Sequence, residues 1–125
     1  MKFSVKKDLF TLGVQTVCKA ISNRTTLPIL ENIYLSLDNE FLIMRGNDLE
    51  LGIEYKLPVT VQDAGTTQSV LLKASTLNDI LSKLSSEDVD LCLDDTFKFK
   101  INASTIDFEI FGLDIQEYPQ FPDIE

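Results

Sequence analysis

An α+β domain built from a doubled β-α-β-β-β unit, with its two helices on one side of antiparallel sheets, is the fold this chain of 125 residues predicts. Three observations predict it. Apolar residues recur at helical spacing in two separate stretches, period-two alternation fills most of the rest, and the order strand, helix, strand, strand, strand runs through twice, over residues 1–61 and again over 67–111.

The first strand is read at residues 2–6, where Phe3 and Val5 alternate with Lys2, Ser4 and Lys6. Residues 8–22 then place Phe10, Val14, Val17 and Ile21 on one stripe of a helix, with Gln15, Lys19 and Ser22 on the opposite face. After Leu27-Pro28, a turn that disfavours helix before the proline, Ile33, Leu35 and Leu37 alternate with Tyr34, Ser36 and Asp38. Strands follow at 41–45 and 50–61.

The second unit opens with a strand at 68–72 and a shorter helix carrying Leu77, Ile80, Leu81 and Leu84, with Ser75 or Thr76 available as its cap. The outer face of that helix is read as Asn78, Ser82 and nearby Lys83. A meander of strands at 88–94, 97–101 and 105–111 completes it. With Asn102 and Ala103 as a loop, Phe97 opposes Phe108, Phe99 opposes Ile106 and Lys98 opposes Asp107. With Asp94, Asp95 and Thr96 as the other loop, Leu93 opposes Phe97 and Leu91 opposes Phe99. Residues 112–125, with two prolines after Tyr118 and no periodicity, read as a linker, and the chain as the first domain of a longer protein.

Composition narrows the chemistry. The chain has no histidine, which removes histidine-based catalysis and the commonest metal ligand. Cys18 and Cys92 fall on helix and strand segments and read as buried free thiols. The lysine-bearing start lacks a secretory cleavage pattern and no stretch is long and apolar enough to span a membrane, so a cytoplasmic protein is expected. Net charge is −9, yet residues 1–60 balance seven basic against seven acidic side chains, while 61–125 hold four basic and thirteen acidic. The first thirty residues carry five cations against Asp8 alone. The carboxylates Glu87, Asp88, Asp90, Asp94 and Asp95 would be the metal site of a rival, enzymatic reading; alternation instead puts Asp88, Asp90 and Asp94 on one exposed strand face, with no calcium-loop glycine after them.

Four segments occur together in the order and spacing of one family: Met1-Lys2-Phe3-Ser4-Val5, the run Arg24-Thr25-Thr26-Leu27-Pro28-Ile29-Leu30-Glu31-Asn32-Ile33, Gly46-Asn47-Asp48-Leu49-Glu50, and Glu117-Tyr118-Pro119. In these the chain resembles, over essentially its whole length, the N-terminal domain of the bacterial replicative sliding clamp, the beta subunit of DNA polymerase III. The resemblance implies a DNA clamp fold, three such domains per subunit, and a head-to-tail homodimeric ring around double-stranded DNA that gives the polymerase processivity without catalysis, metal or cofactor. Helices would line the channel and strands form the outer wall. Arg24 matches the family's DNA-contacting arginine, with Lys19 and Gln15 on the same side. Ser75 stands where a basic residue is common, so Lys73 would substitute. By position the ring interface would take Asn78, Ile80, Leu84, Phe108 and Ile110, although Ile80, Leu84 and Phe108 also fit an ordinary core. Thr105 and Asp107 stand where some relatives have basic residues, so ion pairing across that interface would differ. The DNA polymerase III catalytic subunit and the clamp loader would bind through later domains. The alternative is a free-standing protein-interaction module of clamp-like fold that binds DNA weakly.

Overall fold

Alternation begins at once: in β1 (Lys2–Lys6) Phe3 and Val5 are buried while Lys2 and Lys6 are exposed. The computed structural model describes residues 1–21, 27–48, 50–84, 87–103 and 106–118. β1 runs directly into α1 (Lys7–Cys18); a short 3-10 turn at Pro28–Glu31 leads to β2 (Asn32–Asp38), β3 (Phe41–Asn47), β4 (Gly52–Pro58) and β5 (Thr60–Asp63). The second unit is β6 (Ser69–Lys73), α2 (Ala74–Ser82), β7 (Asp88–Leu93), β8 (Lys98–Ala103) and β9 (Ile106–Phe111), followed by a 3-10 turn at Ile115–Glu117.

The doubled unit is present, and its halves exchange their first strands. The five-stranded sheet has the order β5-β1-β7-β8-β9, the four-stranded sheet β4-β3-β2-β6, and every pairing is antiparallel. Thus β1 pairs with the second unit through Phe3 and Leu91, and β6 pairs with the first through Leu72 and Ile33. One hydrophobic core joins the inner faces of both sheets to the buried sides of both helices, including Phe3, Phe10, Ile33, Met44, Leu72, Leu77 and Phe99.

Several element boundaries differ from the sequence reading. Residues 50–61 are not one strand: pairing ends at Pro58, which has no N–H to donate, and after Val59 the chain continues in the other sheet as β5. The Val59 N–H instead bonds the Glu40 carbonyl at 2.9 Å. α1 stops at Cys18, with Lys19 as its C-cap, short of the expected 22. α2 is not capped by Ser75 or Thr76; it starts directly from β6, with Lys73 at the N-cap position and no side-chain capping bond.

Both hairpin registers also shift. Phe99 pairs with Ile110 and Ile101 with Phe108, so the expected Phe97–Phe108, Phe99–Ile106 and Lys98–Asp107 pairs do not form. Leu93 pairs with Phe99 and Leu91 with Ile101, in place of Leu93–Phe97 and Leu91–Phe99. The cause in the β7–β8 turn is Asp94, whose Oδ1 accepts from Thr96 Oγ1 (2.7 Å), Thr96 N (2.9 Å) and Lys98 N (3.0 Å). These bonds, the Thr96 hydroxyl first, hold the Asp94 carboxyl below its ordinary pKa. The longer turn places Phe97 at φ 66°, a left-handed conformation that costs a non-glycine residue on the order of 1–2 kcal/mol. Each register moved by an even number of residues, so the same side chains still face inward.

α1 sits close on the four-stranded sheet because Gly46 leaves room: a Cβ there would lie 2.5 Å from the Val17 carbonyl oxygen. At the far end of the molecule the chain bends from β9 into a bridge between Leu113 and Leu71 of β6, and a Cβ on Gly112 would meet Val70 Cγ2 at 2.3 Å and the Leu71 carbonyl at 2.9 Å. Beyond the bridge, Tyr118 packs its ring 5.9 Å from that of Tyr34, and its hydroxyl accepts from Asn47 Nδ2 at 3.0 Å. Residues 112–118 therefore lie against the sheet, and Asn47 is fully buried beneath them. Burial pushes the Tyr118 phenol up to about 12, against smaller opposing effects from Asn47 and the Arg45 charge.

Gly46→Ala is expected to destabilise the chain by about 1–3 kcal/mol, since a backbone carbonyl cannot swing aside as a side-chain end can; a shift of the urea midpoint measures it. For Tyr118 the folded pKa lies above the unfolded one, so its contribution is complete below pH ~10 and is lost as pH rises through about 12. Denaturant titrations across that window should show a falling slope of at most one proton, absent in Tyr118→Phe.

Candidate nucleic-acid interface

α1 buries Phe10, Gly13, Val14 and Val17 against the sheets, which turns Asp8, Leu12, Gln15 and Lys19 outward as one stripe. The same logic in α2 buries Ala74, Leu77, Ile80 and Leu81 and exposes Ser75, Thr76, Asp79 and Ser82, with Lys83 just beyond. The helices touch each other. Their seam holds Asn78, which is half-buried and donates from Nδ2 to Cys18 Sγ at 3.3 Å, so it is turned toward α1 and away from the outer face assigned to it from sequence. Burial raises the Cys18 pKa, and the bond from Asn78 opposes the shift. Cys18 and Cys92 are both free and both half-buried, less enclosed than their sequence positions suggested.

Charge is unevenly placed. Segments 7–19 and 73–83 carry four lysines and two aspartates, a net of +2 in a chain of −9. The exposed carboxylates of Asp88, Asp90, Asp94, Asp95, Asp107 and Glu109 all belong to the five-stranded sheet and its turns. A polyanion would meet the least repulsion along the helices.

Of the residues expected to contact DNA, Gln15 and Lys19 are exposed on the α1 stripe. Arg24 falls within residues 22–26 and lies outside the described residues. Lys73 is exposed at the end of β6, where it lines a groove of about 240 Å³ with Ile21, Glu31, Ala74 and Ser75. That groove brings Lys73 beside the exit of α1, together with the carboxylate of Glu31.

The expected interface residues divide differently. Ile80, Leu84 and Ile110 are 7%, 5% and 6% exposed and belong to the domain's own core. Phe108 is half-buried against that core. What β9 leaves in solvent is Ile106, Asp107, Glu109 and Phe111, the last 76% exposed and covered on one side by Lys98, whose Nζ stands 5.6 Å from the ring centre. Sequence reasoning passed over Phe111, although the alternation through Ile106, Phe108 and Ile110 already assigned it to the opposite face. Among the described residues, no three of Asp, Glu, Cys or His gather where they could hold a metal ion, and no helix is long and apolar enough to cross a membrane.

Residues 1–122 match the family described as DNA polymerase III beta subunit, N-terminal domain. The beta sliding clamp of Staphylococcus aureus strain Mu50 is 36% identical over 129 residues, which takes in 99% of this chain and 34% of that protein. The crystal structure of the DNA polymerase sliding clamp from Bacillus subtilis aligns with a TM-score of 0.86 at 32% identity, over 100% of this chain and 34% of that one. The beta subunit from DNA polymerase of Streptococcus pyogenes aligns with a TM-score of 0.90 over 100% of this chain and 33% of its own; at 21% identity it is a likeness of fold alone. The chain spans about a third of the length of the relatives it matches.

Because Ile80 and Leu84 are core residues in the single chain, replacing either with alanine should cost it about 2–4 kcal/mol in urea denaturation. Lys19→Ala and Lys73→Ala, both at exposed positions, should stay within about 0.5 kcal/mol of the parent.

Proposed function

This chain belongs to the family of DNA polymerase III beta subunit N-terminal domains, and from that membership we propose that it serves as the first of three domains in a subunit of a sliding clamp. Two such subunits, joined head to tail, enclose duplex DNA and hold the replicative polymerase on its template. The domain performs no catalysis and needs no cofactor; its place of action is the cytoplasm, and polymerase and clamp loader engage the later domains.

The observation that carries this reading is the uneven net charge: the helix segments 7–19 and 73–83 hold two acids against four lysines, while most carboxylates lie on the strands and their turns. Facing the DNA with Gln15, Lys19 and Lys73, and with Arg24 in the segment that follows α1, the domain would attract phosphates without reading bases. The exposed helix positions include no aromatic side chain for stacking on a base, and among them Gln15 is the one amide free to reach a base edge. Weak, sequence-independent attraction suits a ring that must move along its track. Retention then comes from enclosure.

The complete protein should stay on circular duplex DNA and leave it when the circle is cut, and Arg24→Ala should weaken DNA binding and loading without changing the denaturation midpoint. Equal retention on circular and linear DNA would refute enclosure. The 125-residue chain alone should bind duplex only at low salt, with affinity falling steeply as salt rises.

A further inference from the structure

A row of polar and aromatic side chains crosses the outer face of the four-stranded sheet. Glu54 of β4 pairs with Arg45 of β3 at 3.1 Å, the Arg45 guanidinium stands 5.2 Å from the ring centre of Tyr34 on β2, and the Tyr34 ring meets that of Tyr118 at 5.9 Å. Register sets the row, since Tyr34 opposes Arg45 and Arg45 opposes Glu54. The Tyr118 hydroxyl completes it by accepting from Asn47 Nδ2 at 3.0 Å, at the end of β3. Asp48 holds the chain just after Asn47, because its Oδ1 accepts from the backbone N–H groups of Glu50 (3.0 Å) and Leu51 (2.7 Å).

The segment that carries Tyr118 is held at two points. At the first, the Gly112 N–H bonds the Phe97 carbonyl at 2.8 Å, and Leu113 exchanges backbone bonds of 2.9 and 3.0 Å with Leu71. Between the points the turn bonds within itself: Asp114 Oδ1 accepts from the Gln116 N–H at 3.0 Å, and the Tyr118 N–H donates to the Ile115 carbonyl at 2.9 Å. The second point is the Tyr118 side chain. Its hydroxyl sits over Asn47, which has no exposed surface, and a hydrogen bond from a donor so enclosed fixes one geometry where apolar packing alone tolerates sliding.

We propose that Tyr118, Asn47 and Tyr34 form a latch that fixes the direction in which the chain leaves this domain, and that in the complete protein this latch resists opening of the ring. The proposal rests on the ring reading, in which a second domain follows Tyr118 and its angle to the first helps keep the circle shut. With the latch made, the exit is anchored to β2 and β3, two strands of the core. With the latch released, the last backbone attachment is Leu113, and the residues after it become a hinge at the end of an element, where large changes of backbone angle are absorbed. Opening at this joint then costs less.

Two measurements test it. In the isotopically labelled chain, the order parameters of the Asp114 and Gln116 amides should fall from about 0.85 to below about 0.6 in Tyr118→Ala, while those of β2 and β3 hold. In the complete protein, residence on closed circular duplex DNA should shorten roughly fivefold in Tyr118→Phe, which loses the bond and keeps the ring contact, and further in Tyr118→Ala. Gln116→Ala, at an exposed position of the same turn, should match the parent in both. Unchanged order parameters in Tyr118→Ala, parental residence of Tyr118→Phe, or equal shortening in Gln116→Ala would overturn the latch. Should Tyr118→Ala not fold, Tyr118→Phe against Gln116→Ala decides the matter. A parent protein that leaves circular and linear DNA alike refutes the ring reading instead, and the order parameters are read with no DNA present, so the two failures are distinct.

Discussion

The exchange of first strands is the constraint on which the rest of this structure depends. β1 lies outside the sheet of β2, β3 and β4; it pairs with β7 of the second half on one side and with β5 of its own half on the other, and β6 completes the sheet of the first. Neither half can bury its helix and close its sheet without the other, so a doubled sequence folds as one cooperative body with one core. Because each helix follows its exchanged strand without a break, the exchange also fixes where the helices emerge. α1 and α2 come to lie in contact, and their outward stripes form adjoining parts of one surface.

That surface and the strands divide the charge of the chain. Burial of Phe10, Val14 and Val17 on one side of α1, and of Leu77, Ile80 and Leu81 on α2, leaves few positions for charge on the helices, and acids take only two of them. The carboxylates gather where alternation turns every second residue of the five-stranded sheet to solvent, and in the turns, where Asp94 and Asp95 accept bonds from neighbouring residues. The helix segments are therefore net positive in a chain whose total is −9, while the strands carry acids and lysines together. Exposed single pairs such as Lys6–Asp88 add little stability, on the order of 0–1 kcal/mol each. Their effect is to set which surfaces repel and which attract.

Period and composition made much of this legible in advance. Ile33, Leu35 and Leu37 alternate as read, and the apolar stripe of each helix is the buried one. What failed were quantities that depend on local turn chemistry: the Asp94 carboxylate lengthened one turn, and Pro58 split a strand whose alternation gave no hint of a change of sheet. The exchange of β1 and β6 was not readable either, because pairing partners far apart in sequence leave no periodic mark. The site was legible in part. Gln15 and Lys19 stand exposed on the stripe that helical spacing assigned to them, whereas Ile80 and Leu84 fitted core and interface alike, and Ile110, assigned to the interface by position, is buried in the single chain. Asn78 was polar and taken to face outward; its bond to Cys18 spends it between the helices.

The bend at Val59 and the bend at Gly112 have a joint consequence. At one margin the chain passes from the four-stranded layer to the five-stranded one within a single residue, and at the opposite margin it passes back through Gly112 to the Leu71–Leu113 bridge. The two sheets are thus tied at both ends of their strand order, β4 to β5 through Val59 and β9 to β6 through Gly112 and the single Leu71–Leu113 bridge, so that neither can swing from the other as a leaf fastened along one side.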